Sequence, residues 1–134
     1  MTACVEDELL LLNERLLQAI DSKEWETYVQ LCDVSLTAYE PEALGQLVEG
    51  LTFHYFYLNR NTDTANQSTI CSPRIRMLGD NAACVTYVRL VQVVDAETND
   101  TVRSFEETRI WEKQGGQWKH VHFHRSFAAS VELG

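Results

Sequence analysis

Basic residues are scarce in this chain of 134 residues: 11 Lys plus Arg stand against 20 Asp plus Glu, a formal net charge of −9. A nucleic acid or an anionic membrane surface needs a basic face, so this balance argues against both as partners. Long apolar runs are also missing, and no stretch approaches the ~18–20 residues of a membrane-spanning helix. The start, Met1 to Glu8, is acidic where a signal peptide is basic, so secretion is not expected and a cytoplasmic setting is. The sequons at Asn66-Gln67-Ser68 and Asn99-Asp100-Thr101 are therefore read as coincidental. Cys4, Cys32, Cys71 and Cys84 form no C-x-x-C pair and have no zinc-like spacing, which suggests buried, reduced thiols.

Catalytic signatures are equally thin. No G-x-S-x-G is present, and Ser126 and Ser130 stand in the tail without an evident base. Gly45 to Gly50 has the spacing of a phosphate loop but lacks the Lys that must follow it. Neither a cofactor nor a metal is expected, and a non-catalytic role is.

What the chain does have is ordinary globular content, 45% hydrophobic and 23% charged, at a length that suits one domain. Val5, Leu9, Leu12, Leu16 and Ile20 recur with helical period. Leu10, Leu11 and Leu17 widen that apolar surface beyond one stripe, as in a helix that meets a second surface. Asp21 and Glu24 resemble a capping box opening a second helix with Trp25, Tyr28 and Leu31 on one face. Pro41 is placed to start a short helix ending at Gly50, and residues 51–58 form an aromatic-rich helical segment. A polar linker, 59–67, follows. Residues 70–78, 82–94, 101–112 and 117–125 then read as strands separated by Gly79-Asp80-Asn81, a longer loop at 95–100, and Gln114-Gly115-Gly116. Helices first and an antiparallel meander afterwards predict an α+β fold with helices on one sheet face.

Strand parity is the informative feature. Residues two apart share a sheet face, so Arg89, Arg109 and Arg125 each fall among apolar and aromatic neighbours on one parity. Glu107 shares it. Three guanidiniums repel unless an anion joins them, and Glu107 cannot neutralise all three. Two readings stay open: a pocket for a carboxylate, from a small ligand or an acidic peptide, or an internal network using Glu106 or Glu107 and acids of the helices. His120, His122 and His124 alternate and so are expected on one strand face with Trp118, without the further ligands a zinc site needs. An enzyme built on a cone-shaped α+β domain, with an Asp or Glu in an apolar pocket as base, is the competing class, as is a stand-alone ligand-binding protein.

Residues 36–57 carry a resemblance. Leu36-Thr37-Ala38-Tyr39-Glu40-Pro41-Glu42-Ala43-Leu44-Gly45, Leu47-Val48-Glu49-Gly50-Leu51 and Phe53-His54 closely resemble the association (hub) domain of calcium/calmodulin-dependent protein kinase type II. The similarity resumes at Tyr87-Val88-Arg89-Leu90 and Glu106-Glu107-Thr108-Arg109-Ile110-Trp111, and continues through Val121-His122-Phe123-His124-Arg125-Ser126. Tyr55, where that family usually has Arg, and the tail Phe127-Ala128-Ala129 mark a divergent member. The resemblance implies an NTF2-like (cystatin-like) cone over residues 1–134, with a long N-terminal helix cradled by a curved antiparallel sheet. It implies a homo-oligomer, a stacked double ring forming a dodecamer or tetradecamer, that clusters attached kinase domains, with a kinase regulatory segment as a further partner. It also implies a cavity in which His54, Arg89, Arg109 and Arg125 bind small carboxylates such as 4-hydroxybutyrate analogues.

Overall fold

The first helix buries a stripe that differs from the simplest reading of its period. In the computed structural model, which describes residues 4–60, 64–95, 97, 100–128 and 131–133, α1 spans Val5–Asp21 and buries Leu9, Asn13, Leu16, Leu17 and Ala19. Leu12 and Ile20 lie half-buried at its borders, Val5 is exposed, and Leu11 is 65% exposed on the outer face. A polar Asn13 occupies the centre of the buried stripe because its Oδ1 accepts from Trp111 Nε1 at 3.0 Å, and both residues are wholly buried. That bond gives the indole N–H the partner a buried donor requires.

Helix α2, Trp25–Leu31, follows and buries Tyr28 and Leu31 as its spacing predicts. No capping box opens it: Glu24 stands at the N-cap without a side-chain cap bond, and Asp21 turns instead to a guanidinium of the sheet. A charge-assisted bond to Arg is stronger than a bond to a helix N–H, so the tertiary partner wins. Strand β1, Cys32–Tyr39, begins where α2 ends, at a position with no strand expectation. Between Cys32 and Thr37 its pairing slips, leaving Asp33 to bond the Ser35 backbone N–H and Val34 at 79% exposure.

The expected helix from Pro41 to Gly50 is a single 3-10 turn, Pro41–Ala43, followed by the two-residue strand β2, Val48–Glu49. Pro41 starts the turn as its fixed φ favours. Leu44 and Gly45, at φ 53° and 89°, then leave the helical region, and Ala38 pairs with Val48. Helix α3, Thr52–Leu58, agrees with the aromatic segment and buries His54 and Leu58.

Strands β3 (Thr64–Met77), β4 (Ala82–Asp95), β5 (Thr101–Gln114) and β6 (Gln117–Phe127) form the predicted meander. β3 starts six residues earlier than its predicted strand, inside the expected linker, because every residue from Thr64 to Cys71 pairs across to β4. Pro73 interrupts β3 at a bulge, where Ser72 has φ 52°, and the strand's place at the sheet edge lets a missing N–H go unnoticed. The six-stranded sheet has the order β2-β1-β6-β5-β4-β3, antiparallel except where β1 runs parallel to β6. α1 packs on β3, β4 and α2, and α2 on β1 and β6, so both helices lie against the sheet. Residues 61–63 of the expected linker, Ala96, Thr98 and Asn99 of the 95–100 loop, and Ala129 and Ser130 of the tail lie outside the described residues. Of the cysteines, Cys32 is buried, Cys71 and Cys84 are intermediate, and Cys4 is exposed, correcting the expectation of four buried thiols; all four are free. No described helix is long and apolar enough to cross a membrane.

Removing the Asn13 side chain leaves the Trp111 N–H without a partner inside the core. Asn13→Ala is expected to destabilise the fold by about 1–3 kcal/mol, measured by urea denaturation at fixed protein concentration. With Trp111→Phe already present the same change should cost less, as a double-mutant cycle reads directly.

Candidate functional site: an arginine-lined cavity

Antiparallel register decides which side chains meet. Tyr87 stands opposite Glu107, Val85 opposite Arg109, Arg89 opposite Phe105, Glu107 opposite Arg125, and Arg109 opposite Phe123. All are odd-numbered positions, so they share the face on which the helices pack. Arg89, Arg109 and Glu107 are buried there, and Arg125 is partly covered.

Glu107 joins them. Its Oε1 accepts from the Tyr87 hydroxyl at 2.6 Å and from Arg109 Nη2 at 3.1 Å, while Oε2 accepts from Arg89 Nη1 at 3.1 Å. Arg89 also donates to Asp21 Oδ1 of α1 at 3.0 Å and to Ser68 Oγ at 2.8 Å. Arg109 donates through Nε to the Tyr87 oxygen at 2.9 Å and lies over the Phe123 ring, 4.4 Å from its centroid. Burial alone would raise the Glu107 carboxyl, but the Arg109 and Arg89 charges and the Tyr87 hydroxyl outweigh it and hold it at about 2. Burial pushes the Tyr87 hydroxyl up to about 12, so it stays a donor.

Arg125 has a different partner. Its Nη2 donates to Glu42 Oε1 on the 3-10 turn, and its guanidinium stacks over Phe105 at 4.8 Å. The mutual repulsion that suggested an external anion is thus relieved within the protein, by Glu107, Asp21 and Glu42. Of these, only Glu107 shares the arginines' strand parity; Asp21 and Glu42 come from elements that parity does not connect.

His54, from α3, stands at the other wall. Its Nε2 donates to Glu40 Oε1 at 3.1 Å, since the carboxylate only accepts, and its Nδ1 is buried without a partner. Arg125 Nε is likewise buried and unpaired. Between them lies a cavity of about 140 Å³ lined by Ile20, Tyr28, Glu40, Glu42, His54, Tyr57, Leu58, Arg89, Arg109, Phe123 and Arg125. All four arginine and histidine positions picked out from the sequence therefore meet at one cavity, with Glu107 directly behind Arg89 and Arg109. A larger groove of about 590 Å³ between α1 and β3 contains none of these four residues and is lined mainly by uncharged polar side chains.

The three histidines do not share a face. On β6, His120 pairs with Trp111 and His122 with Ile110, so Val121 is an extra residue in a β-bulge and side-chain parity reverses there. Trp118 and His120 point inward on one side of the bulge, and Phe123 and Arg125 on the other. Lys119 has the sequence parity of Arg125, but across the bulge it lies off the arginine face and donates to the Gln30 carbonyl. His120 is fully buried, with Arg109 Nη1 at 3.3 Å from its Nε2 and Cys32 Sγ at 3.5 Å from its Nδ1. An arginine can only donate, so Nε2 accepts and the ring proton sits on Nδ1. Burial, and then the Arg109 charge, keep this imidazole well below its ordinary pKa and neutral. His122 bonds Thr37 Oγ1 at 2.7 Å on the opposite face. Among the described residues no group of three or more His, Cys, Asp or Glu is placed to hold a metal. Asp21, Glu40, Glu42 and His120 were not singled out in advance as members of this cluster.

Glu107→Gln keeps the shape and removes the charge between two buried arginines. It is expected to destabilise by about 3–5 kcal/mol. A carboxyl held near 2 in the fold, against 4.5 ordinarily, contributes stability above the ordinary value that is lost as pH falls toward 2, about 3 kcal/mol in all. Denaturation curves between pH 5 and pH 2 should therefore be flatter for Glu107→Gln than for the unmodified chain.

A family model described as the calcium/calmodulin dependent protein kinase II association domain matches residues 5–129. The Drosophila melanogaster calcium/calmodulin-dependent protein kinase type II alpha chain is 44% identical over 128 residues, covering 92% of this chain and 24% of that one. This chain thus spans about a quarter or less of the curated relatives it matches. The structure of the C. elegans CaMKII association domain is similar with a TM-score of 0.83 at 41% identity, over 90% of this chain and 94% of that one. The S. rosetta CaMKII hub gives 0.86 at 37%, over 96% and 100%. An NTF2-like protein from Salmonella enterica, 23% identical over 97% and 95%, reaches 0.83, which shows the α+β cone as a fold. The part of the kinases that is matched is the association domain, which is separate from their kinase domain. Matched along nearly its whole length, this chain belongs to the calcium/calmodulin-dependent protein kinase II association domain family.

Proposed function

We propose that residues 1–134 form a single hub domain that acts as an oligomerisation scaffold, not as an enzyme. Copies assemble into a stacked double ring and cluster kinase domains attached to them, raising their local concentration for one another. Membership of the association domain family carries this reading. Its physical support is apolar surface that water would otherwise wet: Val34, Leu44 and Leu47, at 79%, 87% and 44% exposure, all lie on the β1–β2 segment, and Leu11 lies on the outer face of α1. A subunit of the size of a dodecamer or tetradecamer component should give native mass spectra of that order at micromolar concentration; a monomer or simple dimer would refute the scaffold. Leu44→Asp together with Leu47→Asp should shift the assembly to smaller species while each subunit stays folded.

A second activity of the same domain rests on one observation: Arg125 and His54, which each keep a buried nitrogen without a partner among the described residues (Nε and Nδ1), line the same small, partly apolar cavity. A short hydroxy acid suits both, its carboxylate on the Arg125 fork and its hydroxyl toward His54. A volume of about 140 Å³ is close to the ~150 Å³ that admits a benzene-sized guest. An acidic peptide does not fit this volume unless only one side chain enters. By isothermal titration, 4-hydroxybutyrate should bind more tightly than butyrate, and Arg125→Lys should lose about tenfold or more with the bidentate contact. Equal binding of both acids, or by both proteins, removes the assignment.

A further inference from the structure

Four carboxylates and three guanidiniums surround the cavity, and their burial is unequal. The side chains of Glu107, Asp21 and Glu40 are 0%, 7% and 5% exposed, whereas Glu42 is 34% exposed. Glu107 is gripped by two arginines and a tyrosine, Asp21 pairs with buried Arg89, and Glu40 with buried His54. Glu42 has one partner, Arg125 Nη2, and sits on a three-residue turn at the edge of the cavity. Its bond engages one side of the guanidinium and leaves Nε without an acceptor. The Phe105 ring under Arg125 holds the guanidinium in place whichever carboxylate approaches it.

We propose that Glu42 is an internal competitor for the cavity's anion: its carboxylate occupies Arg125 and swings into solvent when a ligand carboxylate takes the guanidinium. This rests on the carboxylate-binding reading above and adds the residue that sets its affinity. The other acids are poorly placed for this part: Glu107 is enclosed between two buried arginines, and Asp21 and Glu40 are themselves buried against their partners, so none has water to swing into. Glu42 moves by side-chain rotation alone, into water that already reaches it. The ligand gains what Glu42 does not reach, the second N–H of the guanidinium edge that includes Nε. A cavity of this kind discriminates by charge: a monocarboxylate displaces Glu42 and restores the local charge, whereas a neutral alcohol leaves the pair closed and finds no vacant cation.

The test compares the unmodified chain, Glu42→Gln, Glu42→Ala and Glu49→Gln, the last removing an exposed charge from β2, by titration with 4-hydroxybutyrate at fixed ionic strength. Both Glu42 variants should bind about fivefold more tightly, the scale of one partly exposed ion pair, and Glu49→Gln should match the unmodified chain. Two substitutions of different size at an exposed position keep the result from depending on one variant's packing. Equal or weaker binding by the Glu42 variants, with the unmodified chain still binding, overturns the competitor and leaves the cavity reading standing. An equal gain in Glu49→Gln overturns it in favour of general charge. If neither the unmodified chain nor Glu42→Gln binds at millimolar acid, both readings fall, since the variant with Arg125 released must bind if the cavity does.

Discussion

One carboxylate decides how the inner face of this sheet can exist. Glu107 sits in the middle strand of the meander, wholly enclosed, and is shared by Arg89 of β4 and Arg109 of β5. Without it the two cations would face each other in a medium that screens poorly. With it, β4 and β5 are fastened through a single point by Arg89, Tyr87 and Arg109, and Arg89 keeps a second amino group with which to reach Asp21 at the end of α1. Helix and sheet are therefore joined by charge at one end of α1 and by the Asn13–Trp111 bond near its centre. The angle at which the helix crosses the sheet follows from these two directional contacts as much as from the leucines between them.

The cavity is what remains when that network is complete. Side chains from α1, α2, α3 and β6, Ile20, Tyr28, Leu58 and Phe123 among them, close its walls between the arginines and the Glu40–His54 pair. Arg125 and His54 are the members with capacity to spare, because each meets only one carboxylate. A pocket of this kind is a by-product of charge pairing that is nearly but not wholly saturated, which explains how an association domain comes to present a small polar site. The exposed leucines lie on the outer surface and the cavity in the interior, and the β1–β2 segment carries members of both, Glu42 beside the exposed Leu44 and Leu47.

The sequence made much of this legible, and the failures have physical causes. Alternation along strands correctly grouped Arg89, Arg109, Arg125 and Glu107, because period two holds wherever a strand is regular. The same rule misplaced Lys119 and His120, because the bulge at Val121 adds one residue and inverts every side chain on one side of it. Nothing local to Val121 signals that insertion. The capping box at Asp21 failed since a capping residue is chosen by the strongest partner in three dimensions, and a buried guanidinium lay within reach. Pro41 marked a helix start faithfully, yet a start says nothing of length, and the chain turned away at Leu44 to pair with β1. Asp21 and Glu42 could not be assigned to the arginines from pattern, since parity relates residues only within a sheet.

The parallel pairing of β1 with β6 has a temporal consequence. Cys32 lies beside His120 and Tyr39 beside His124, so the strand that carries Glu40 toward the cavity waits for residues more than eighty positions later. Helices α1 and α2 and the β3–β4 hairpin close from near neighbours, whereas β1 and β2 join the sheet only through the last strand synthesised. Such distant contacts form slowly and late. On a ribosome, Arg125 emerges after every other wall of the cavity, so the cavity closes no earlier than the sheet edge that carries Leu44 and Leu47, because both wait for β6.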